Sequence, residues 1–253
     1  MLKTNQLSQF DLKGIIRCGR YAFMPNRLTF CGPDKNKDLF HYCQSREADQ
    51  GMVQILEEFQ TLYPYLKFIA RYNQIKDPFS EKVVEAYWIG NSLLENITKS
   101  ELYGHLVDKS QIKKKLSQSV VNKIKQKISS GARAHHNFHV LSIWKQADNI
   151  DSVQTLNAMD LCRISWAKVK KAKQSSLEVK YQPLVFNGHK LDLGQPILQK
   201  VNYKIKDKGF IKKPRIGDWI STHWGFACEV LTNQQVSNLK KYTLESIQLA
   251  NLN

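Results

Sequence analysis

Residues 214–236, PRIGDWISTHWGFACEVLTNQQV, are the stretch that decides the fold of the C-terminal part of the chain. Its first half is rich in β-branched and aromatic residues, which is typical of strands. Thr232 and Gln235 then have the spacing of a capping box, which predicts that a helix begins there. Apolar residues line one side of this helix: Val236, Leu239, Ile247 and Ala250. The stretch therefore predicts strands followed by a terminal helix.

Short strand-like runs also precede this stretch. Asn187-Gly188 separates two of them and is a strong hairpin signal. The runs are LCRISWAKV (161–169), SLEVKYQPLVF (176–186), HKLDLG (189–194) and KVNYKI (200–205). Many short strands with turn residues between them predict a small antiparallel β-barrel, here with a C-terminal helix.

The first 155 or so residues show mainly helical periodicity. Apolar positions predict a helix over 52–71, started or kinked by Pro64, a second helix capped by Ser80, and a third from Ser110 to Ser129 that ends at Gly131. Residues 137–144, NFHVLSIW, favour a strand. The pattern predicts an α+β protein with a mainly helical domain over 1–155 and the barrel domain over 156–253.

The composition indicates a globular protein. The 253 residues are 42% hydrophobic, enough for a sizeable core, and carry a formal net charge of +16, which makes an acidic partner plausible. A polar N-terminus and the lack of an apolar run that could cross a bilayer predict a cytoplasmic protein without a membrane partner. Five widely spaced cysteines with no CxxC pair fit free thiols in a reducing compartment.

The C-terminal third resembles a known family. Gly217-Asp218 leading to His223-Trp-Gly-Phe-Ala and then a helix is similar to the signature of the HypC/HupF hydrogenase-maturation chaperones, and CRISWAKV at 162–169 is similar to their cysteine-containing first strand. The N-terminal part looks like an uncharacterised bacterial family of the same bipartite layout.

This resemblance implies both a role and a site. HypC proteins are small β-barrels, related in shape to OB folds, that with a partner protein hold iron carrying cyanide and carbon monoxide and deliver it to a hydrogenase. By position, their cysteine corresponds to Cys162 and their histidine to His223. A thiolate and an imidazole are sensible ligands for iron or another transition metal. The implied partners are proteins of a metal-centre assembly pathway.

Other potential metal ligands occur in the N-terminal part. His135, His136 and His139 form the densest group, and together with a cysteine they could bind zinc or iron. The alternative is that these histidines belong to the core or an interface, because the chain has no HExxH motif. Cys31 follows the strand-like residues 28–30 in a CGPD turn and is a further candidate.

Two alternative functions remain open from the sequence. One is a metal- or cysteine-dependent enzyme with a pocket between the domains, using Cys31 or the histidines of 135–139. The other is nucleic-acid binding through the lysines of 113–127, which a solvated helix face explains equally well. The leading hypothesis is a metal-centre carrier that acts by binding and transfer through Cys162 and His223.

Overall fold

A computed structural model describes residues 11–109, 117–143 and 153–252, and within them the chain is a mixed α+β protein. Ten α-helices lie in these ranges. They are α1 (Leu12–Arg27), α2 (Asn36–Ser45), α3 (Gln50–Glu57), α4 (Leu62–Tyr72), α5 (Glu81–Trp88), α6 (Lys99–Tyr103), α7 (Gln118–Ser129), α8 (His136–Phe138), α9 (Val153–Cys162) and α10 (Asn233–Ala250). Shorter turns are a 3-10 helix at Ser92–Leu94 and π-helical turns at Gly104–Lys109 and His139–Ile143.

Several helix boundaries follow the predicted signals. The Ser80 side chain caps α5 by accepting from the Val83 N–H, and Thr232 forms a capping box with Gln235 at the start of α10. Pro64 lies in the first turn of α4, where its missing N–H costs nothing, so the predicted 52–71 helix is two helices. Gly131 has a positive φ just after α7, which confirms it as the residue that ends this helix.

The C-terminal part contains seven strands in two sheets. The strands are β1 (Ser165–Ala172), β2 (Ser176–Tyr181), β3 (Leu184–Phe186), β4 (Leu191–Leu193), β5 (Ile197–Asn202), β6 (Trp219–His223) and β7 (Phe226–Leu231). Five of them pair in the order β1-β2-β5-β7-β6, and β6 pairs back with β1, so the pairing forms a closed circuit. β5 and β7 are parallel, so the sheet is mixed and the all-antiparallel prediction was wrong.

The predicted hairpin at Asn187-Gly188 is present but lies outside this sheet. β3 and β4 form their own two-stranded sheet around it, and the Asn187 side chain accepts from the backbone N–H groups of His189 and Lys190. Pro183 lies between β2 and β3, and a proline cannot donate to a sheet ladder, so the predicted run 176–186 is two strands.

Three local predictions were wrong. Residues 137–143 are helical, because an apolar run buried on all sides fits a helix as well as a strand and His135 caps it by accepting from the Asn137 N–H. Residues 28–30 form a turn after α1 instead of a strand. Cys162 ends α9 and does not lie in the first strand, which starts at Ser165.

Helices and strands from both parts of the chain share the largest hydrophobic core. Ile15 and Phe23 of α1 belong to the same buried cluster as Phe226 of β7 and Leu239 of α10. A smaller cluster fills the interior of the five-stranded sheet around Val169, and another lies beneath the β3–β4 hairpin. Whether 1–155 and 156–253 are separate domains stays a prediction.

The lysines of 113–127 do not form a single exposed face. Lys113, Lys114 and Lys115 lie outside the described residues, while Lys123 and Lys125 are exposed on α7. Lys127 is buried, and its ammonium donates to the Leu249 and Ala250 carbonyls at the end of α10. Among the described helices, none is long and apolar enough to span a bilayer.

Candidate metal centre

Three side chains from distant parts of the sequence meet beneath helix α1. They are His136 at the start of α8, Cys162 at the end of α9 and His223 at the end of β6, and one potential ligand atom from each lies within 4.8 Å of the other two. Both histidines are buried and Cys162 is partly buried. The structure thus brings together the two residues that the resemblance singled out, plus one histidine of the 135–139 group.

His223 is oriented by helix α1. Its Nδ1–H donates to the Tyr21 carbonyl at 2.8 Å. In an uninterrupted helix this carbonyl would accept from the residue four positions later, but that residue is Pro25, which has no N–H. A proline inside α1 therefore leaves free the backbone acceptor that holds the imidazole.

The other nitrogen of His223 has a free lone pair. Since Nδ1 carries the proton, Nε2 must be unprotonated, and this buried atom has no hydrogen-bond partner. The Cys162 carbonyl also lies near the ring, but a carbonyl cannot share a hydrogen bond with an unprotonated nitrogen. A buried lone pair without a donor is what a metal ion would satisfy.

His136 has two polar neighbours. Its Nε2 lies 2.9 Å from the Cys162 carbonyl and its Nδ1 lies 3.2 Å from the Tyr87 hydroxyl. In this arrangement Nε2–H donates to the carbonyl and the Tyr87 hydroxyl donates to Nδ1. Because a hydroxyl can also accept, moving the proton to Nδ1 would keep the Tyr87 bond and free Nε2 for a metal ion.

Backbone contacts hold Cys162 in place. The Asn137 side chain donates to the Ile164 carbonyl at 3.0 Å and accepts from the Ile164 N–H at 2.7 Å. On the other side, the Trp224 N–H donates to the Leu161 carbonyl at 2.7 Å. The chain around Cys162 is thus fixed to the residue after His136 and to the residue after His223.

Burial keeps all three side chains neutral at pH 7. Desolvation lowers the pKa of His223 to about 4 and that of His136 well below its usual value, the latter with help from the neighbouring His223. Desolvation, followed by the nearby Cys31, raises the pKa of Cys162 to about 12, while the Trp224 indole opposes this rise. The imidazoles are ready to bind a cation, and the thiol must lose a proton to do so.

The donor set fits a transition-metal ion. Bond lengths of 2.0–2.3 Å in a tetrahedral site place ligand atoms about 3.5 Å apart, so the observed 4.8 Å limit would need only a small contraction. One sulfur and two imidazole nitrogens suit zinc, iron or copper and do not suit magnesium or calcium. The cluster could therefore hold a metal ion, with a coordination position left for a further ligand.

The remaining candidate residues lie elsewhere or at the edge of the cluster. The His135 ring stacks on Tyr242 and caps α8, and His139 bonds the Tyr65 hydroxyl at 3.2 Å. Burial lowers the pKa of His135 to about 3 and that of His139 to about 4, as expected for core histidines. Cys31 is exposed in the turn after α1.

Sequence reasoning missed the residues that orient the ligands. The helical periodicity indicates Tyr87 only as an apolar position of α5, and it assigns no role to Pro25 or Asn137. The proline at position 25, inside a helix, was the one available signal. Two surface clefts, around His41 and Tyr42 and around Arg133 and Glu245, lie away from the cluster.

Comparison with known proteins places the chain in a family without naming a function. Searches of curated proteins and of solved structures gave no match. The likeness of the C-terminal part to HypC/HupF proteins therefore stays a prediction. A model of the DUF6390 family, described as a family of unknown function, matches residues 11–253. Because this match covers nearly the whole chain, the protein belongs to the DUF6390 family.

Proposed function

We propose that this protein binds a transition-metal ion through His136, Cys162 and His223 and carries it, or a metal-ligand group, to a partner protein. The observation that carries the proposal is the convergence of two neutral, buried imidazoles and a thiol, with Nε2 of His223 left without any partner. A buried polar nitrogen without a partner is costly, and a bound cation removes this cost; what distinguishes Nε2 of His223 from the other unpaired buried atoms, such as Nε2 of His135, is that a second imidazole and a thiol lie beside it.

The donor set narrows the cargo to iron, zinc or a similarly soft ion. Two neutral nitrogens and one thiolate would bring a single negative charge to the ion, which suits a site that gives up its cargo better than a site with four thiolates. The resemblance to HypC/HupF proteins supports iron with cyanide and carbon monoxide ligands as the specific cargo. The proposed partner is the acceptor protein of such an assembly pathway.

The residues around the cluster have distinct parts in binding. The Tyr21 carbonyl holds His223 so that its Nε2 faces Cys162. The Tyr87 hydroxyl can accept a hydrogen bond from Nδ1–H of His136 when Nε2 of His136 binds the ion. Cys162 releases one proton to solvent on binding, whereas the histidines release none at pH 7. With these three ligands alone, we therefore expect binding to strengthen about tenfold per pH unit between roughly pH 6 and 9, one proton being displaced per ion.

The test is metal binding by the full chain with and without the thiol. Wild type, Cys162→Ala and Cys43→Ala would be purified anaerobically and analysed for iron and zinc, for cyanide and carbonyl infrared bands, and for affinity towards added Zn²⁺. Cys43 is the matched control, because it is a buried thiol on α2 outside the cluster. We expect Cys162→Ala to weaken Zn²⁺ binding at least about 100-fold and Cys43→Ala to leave it unchanged.

Two outcomes would contradict parts of the proposal. If wild type and Cys162→Ala bound Zn²⁺ equally weakly, the cluster would not be a metal site. If metal bound through Cys162 but no infrared bands appeared after co-expression with a complete hydrogenase-maturation system, the result would support the metal site and contradict iron with cyanide and carbon monoxide as its cargo.

A further inference from the structure

The turn after helix α1 carries Cys31 and is fixed by Asn26. Asn26, buried at the end of α1, donates its side-chain amide to the Cys31 carbonyl at 3.0 Å and to the Pro33 carbonyl at 2.5 Å. These two bonds fix the backbone on both sides of Gly32, whose positive φ makes the turn possible. Cys31 is thus held in one place although its surface is exposed.

Phe30, which precedes Cys31, connects this turn to the segments that carry His223 and Cys162. The Phe30 ring stacks on the Trp224 ring with centroids 4.3 Å apart and planes 25° apart. Trp224 directly follows His223, and its backbone N–H donates to the carbonyl of Leu161, which directly precedes Cys162. One stacked pair and one hydrogen bond therefore join the residues adjacent to Cys31, His223 and Cys162.

The stacking of Phe30 needs an explanation beyond local stability. Phe30 stacks on Trp224 although 62% of its surface is exposed. Its packing against Trp224 costs conformational entropy of the loop, and the contact that results lies at the surface. The effect is to hold the Cys31 turn against Trp224, which, like Cys162, is only partly buried.

Electrostatic coupling supports the closeness of the two thiols. A charge on Cys31 raises the pKa of Cys162, and charges on both cysteines raise the pKa of Tyr87, which bonds His136. Burial also raises the pKa of Cys31 itself, so its sulfur is sheltered although the residue as a whole is exposed. A partly sheltered thiol in an exposed turn, coupled electrostatically to Cys162, is what a ligand at the mouth of a site requires.

We propose that Cys31 is the fourth ligand of the metal centre and the one through which the ion enters and leaves. This inference rests on the proposed function and adds a residue and a route to it. The Cys31 sulfur lies outside the group of ligand atoms within 4.8 Å of one another, so its turn would move inward when the ion binds. The donor set would then be two thiolates and two imidazoles, the composition of a closed tetrahedral site. Unlike His136 and His223, Cys31 lies where a partner can reach it.

Transfer then takes a simple chemical form. A thiolate of the acceptor protein bonds to the metal ion, the bond between the ion and the Cys31 sulfur breaks, and the released Cys31 thiolate takes up a proton from solvent. No electron is transferred, and the ion keeps its oxidation state. Repetition at Cys162 and the histidines completes the exchange once the ion has begun to move outward.

The experiment uses Co²⁺ as the probe, because thiolate-to-cobalt charge-transfer absorption reports how many sulfurs bind. The full chain would be titrated anaerobically with a reductant present, as wild type, Cys31→Ser, Cys162→Ser, the double variant and Cys43→Ala. Cys31→Ser is not expected to disturb folding, since the residue is exposed, and circular dichroism checks this for each variant.

We expect each single serine variant at the site to lose about half of the charge-transfer intensity, the double variant to lose all of it, and Cys43→Ala to lose none, because two thiolates bind in wild type. Cys31→Ser should also slow the removal of Co²⁺ by a thiol chelator. Full intensity in Cys31→Ser with complete loss in Cys162→Ser would overturn this inference and keep the three-ligand site. No thiolate band in wild type would overturn the proposed function itself.

Discussion

Single side chains decide how the candidate metal centre is held. Asn137 is buried, and its amide satisfies both backbone groups of Ile164 and the Thr243 hydroxyl at once. Asn137 directly follows His136 in the chain, and its partner Ile164 lies two residues after Cys162. One side chain therefore sets the distance between two of the three proposed ligands.

Replacing Asn137 by Ala should destabilise the fold by about 3 kcal/mol. The substitution leaves the Ile164 N–H and carbonyl without partners, and each buried unpaired group costs roughly 1–3 kcal/mol. Chemical denaturation followed by circular dichroism measures the change in the free energy of unfolding. Asn122→Ala is the matched control, because Asn122 is exposed on α7 and its side chain accepts from Gln118 on the same helix, and we expect it to change stability by less than about 0.5 kcal/mol.

If Asn137→Ala unfolded at the same denaturant concentration as wild type, the paired bonds to Ile164 would not hold the Cys162 segment. In a variant that still folds, we also expect weaker Zn²⁺ binding, since Cys162 is no longer fixed relative to His136.

Part of the site could be inferred from the sequence at this scale. Cys162 and His223 came from a resemblance, and His136 came only as one of three close histidines. Spacing could not separate it from His135 and His139, because a strand was expected there and the residues are helical. That helix depends on packing against distant residues, which a local pattern does not contain.

Helix α1 is the element that links the metal centre to the rest of the fold. The periodicity did not predict it, because Gly14, Gly19 and Pro25 weaken a helical pattern. The structure gives reasons for two of them. A side chain at Gly14 would collide with the Phe79 carbonyl of the loop before α5, and Pro25 leaves the Tyr21 carbonyl free for His223.

Pro25→Ala should separate the role of this proline in positioning from any role in stability. Alanine restores an N–H that can donate to the Tyr21 carbonyl and compete with His223. We expect the free energy of unfolding to stay the same or rise, while Zn²⁺ affinity falls about tenfold because His223 loses its orienting partner.

Denaturation and Zn²⁺ titration on the same preparation would show whether the two quantities move in opposite directions. Pro78→Ala serves as the control, since Pro78 precedes α5 away from the cluster. An equal loss of stability and affinity in Pro25→Ala would mean that the proline acts only through folding.

At the scale of the whole molecule, contacts between the two ends of the sequence define the structure. Arg17 of α1 pairs with Glu85 of α5 at 2.6 Å and with Glu229 of β7 at 2.7 Å, and the Tyr21 hydroxyl donates to the same Glu229. Burying a guanidinium requires such complete pairing. The sequence could predict the strands and the terminal helix from local patterns, but pairs that are more than 200 residues apart leave no local signal.

The same packing buries three histidines and partly buries His139, all in their neutral form, and this should make the metal-free protein sensitive to acid. Desolvation lowers the pKa of His139 and His223 to about 4 and that of His135 to about 3, and it places that of His136 well below its usual value. In the unfolded chain a histidine titrates near pH 6.5. Between about pH 6.5 and 4 the unfolded state thus binds more protons than the folded state, so stability is full above this window and is lost as the pH falls through it.

We expect the free energy of unfolding to fall by up to about 5.5 kcal/mol per pH unit near pH 5, four protons at roughly 1.4 kcal/mol each. Denaturant titrations with a metal chelator at pH 7, 6, 5.5 and 5 measure this slope. His139→Gln should reduce it by about one proton, or 1.4 kcal/mol per unit, whereas His189→Gln, in the exposed β3–β4 turn, should not. Constant stability from pH 7 to 5 would contradict the prediction, since it would mean that the folded protein takes up these protons as readily as the unfolded chain. Zn²⁺ bound to His136 and His223 should shift the loss to lower pH, because the ion competes with protons for the same nitrogens.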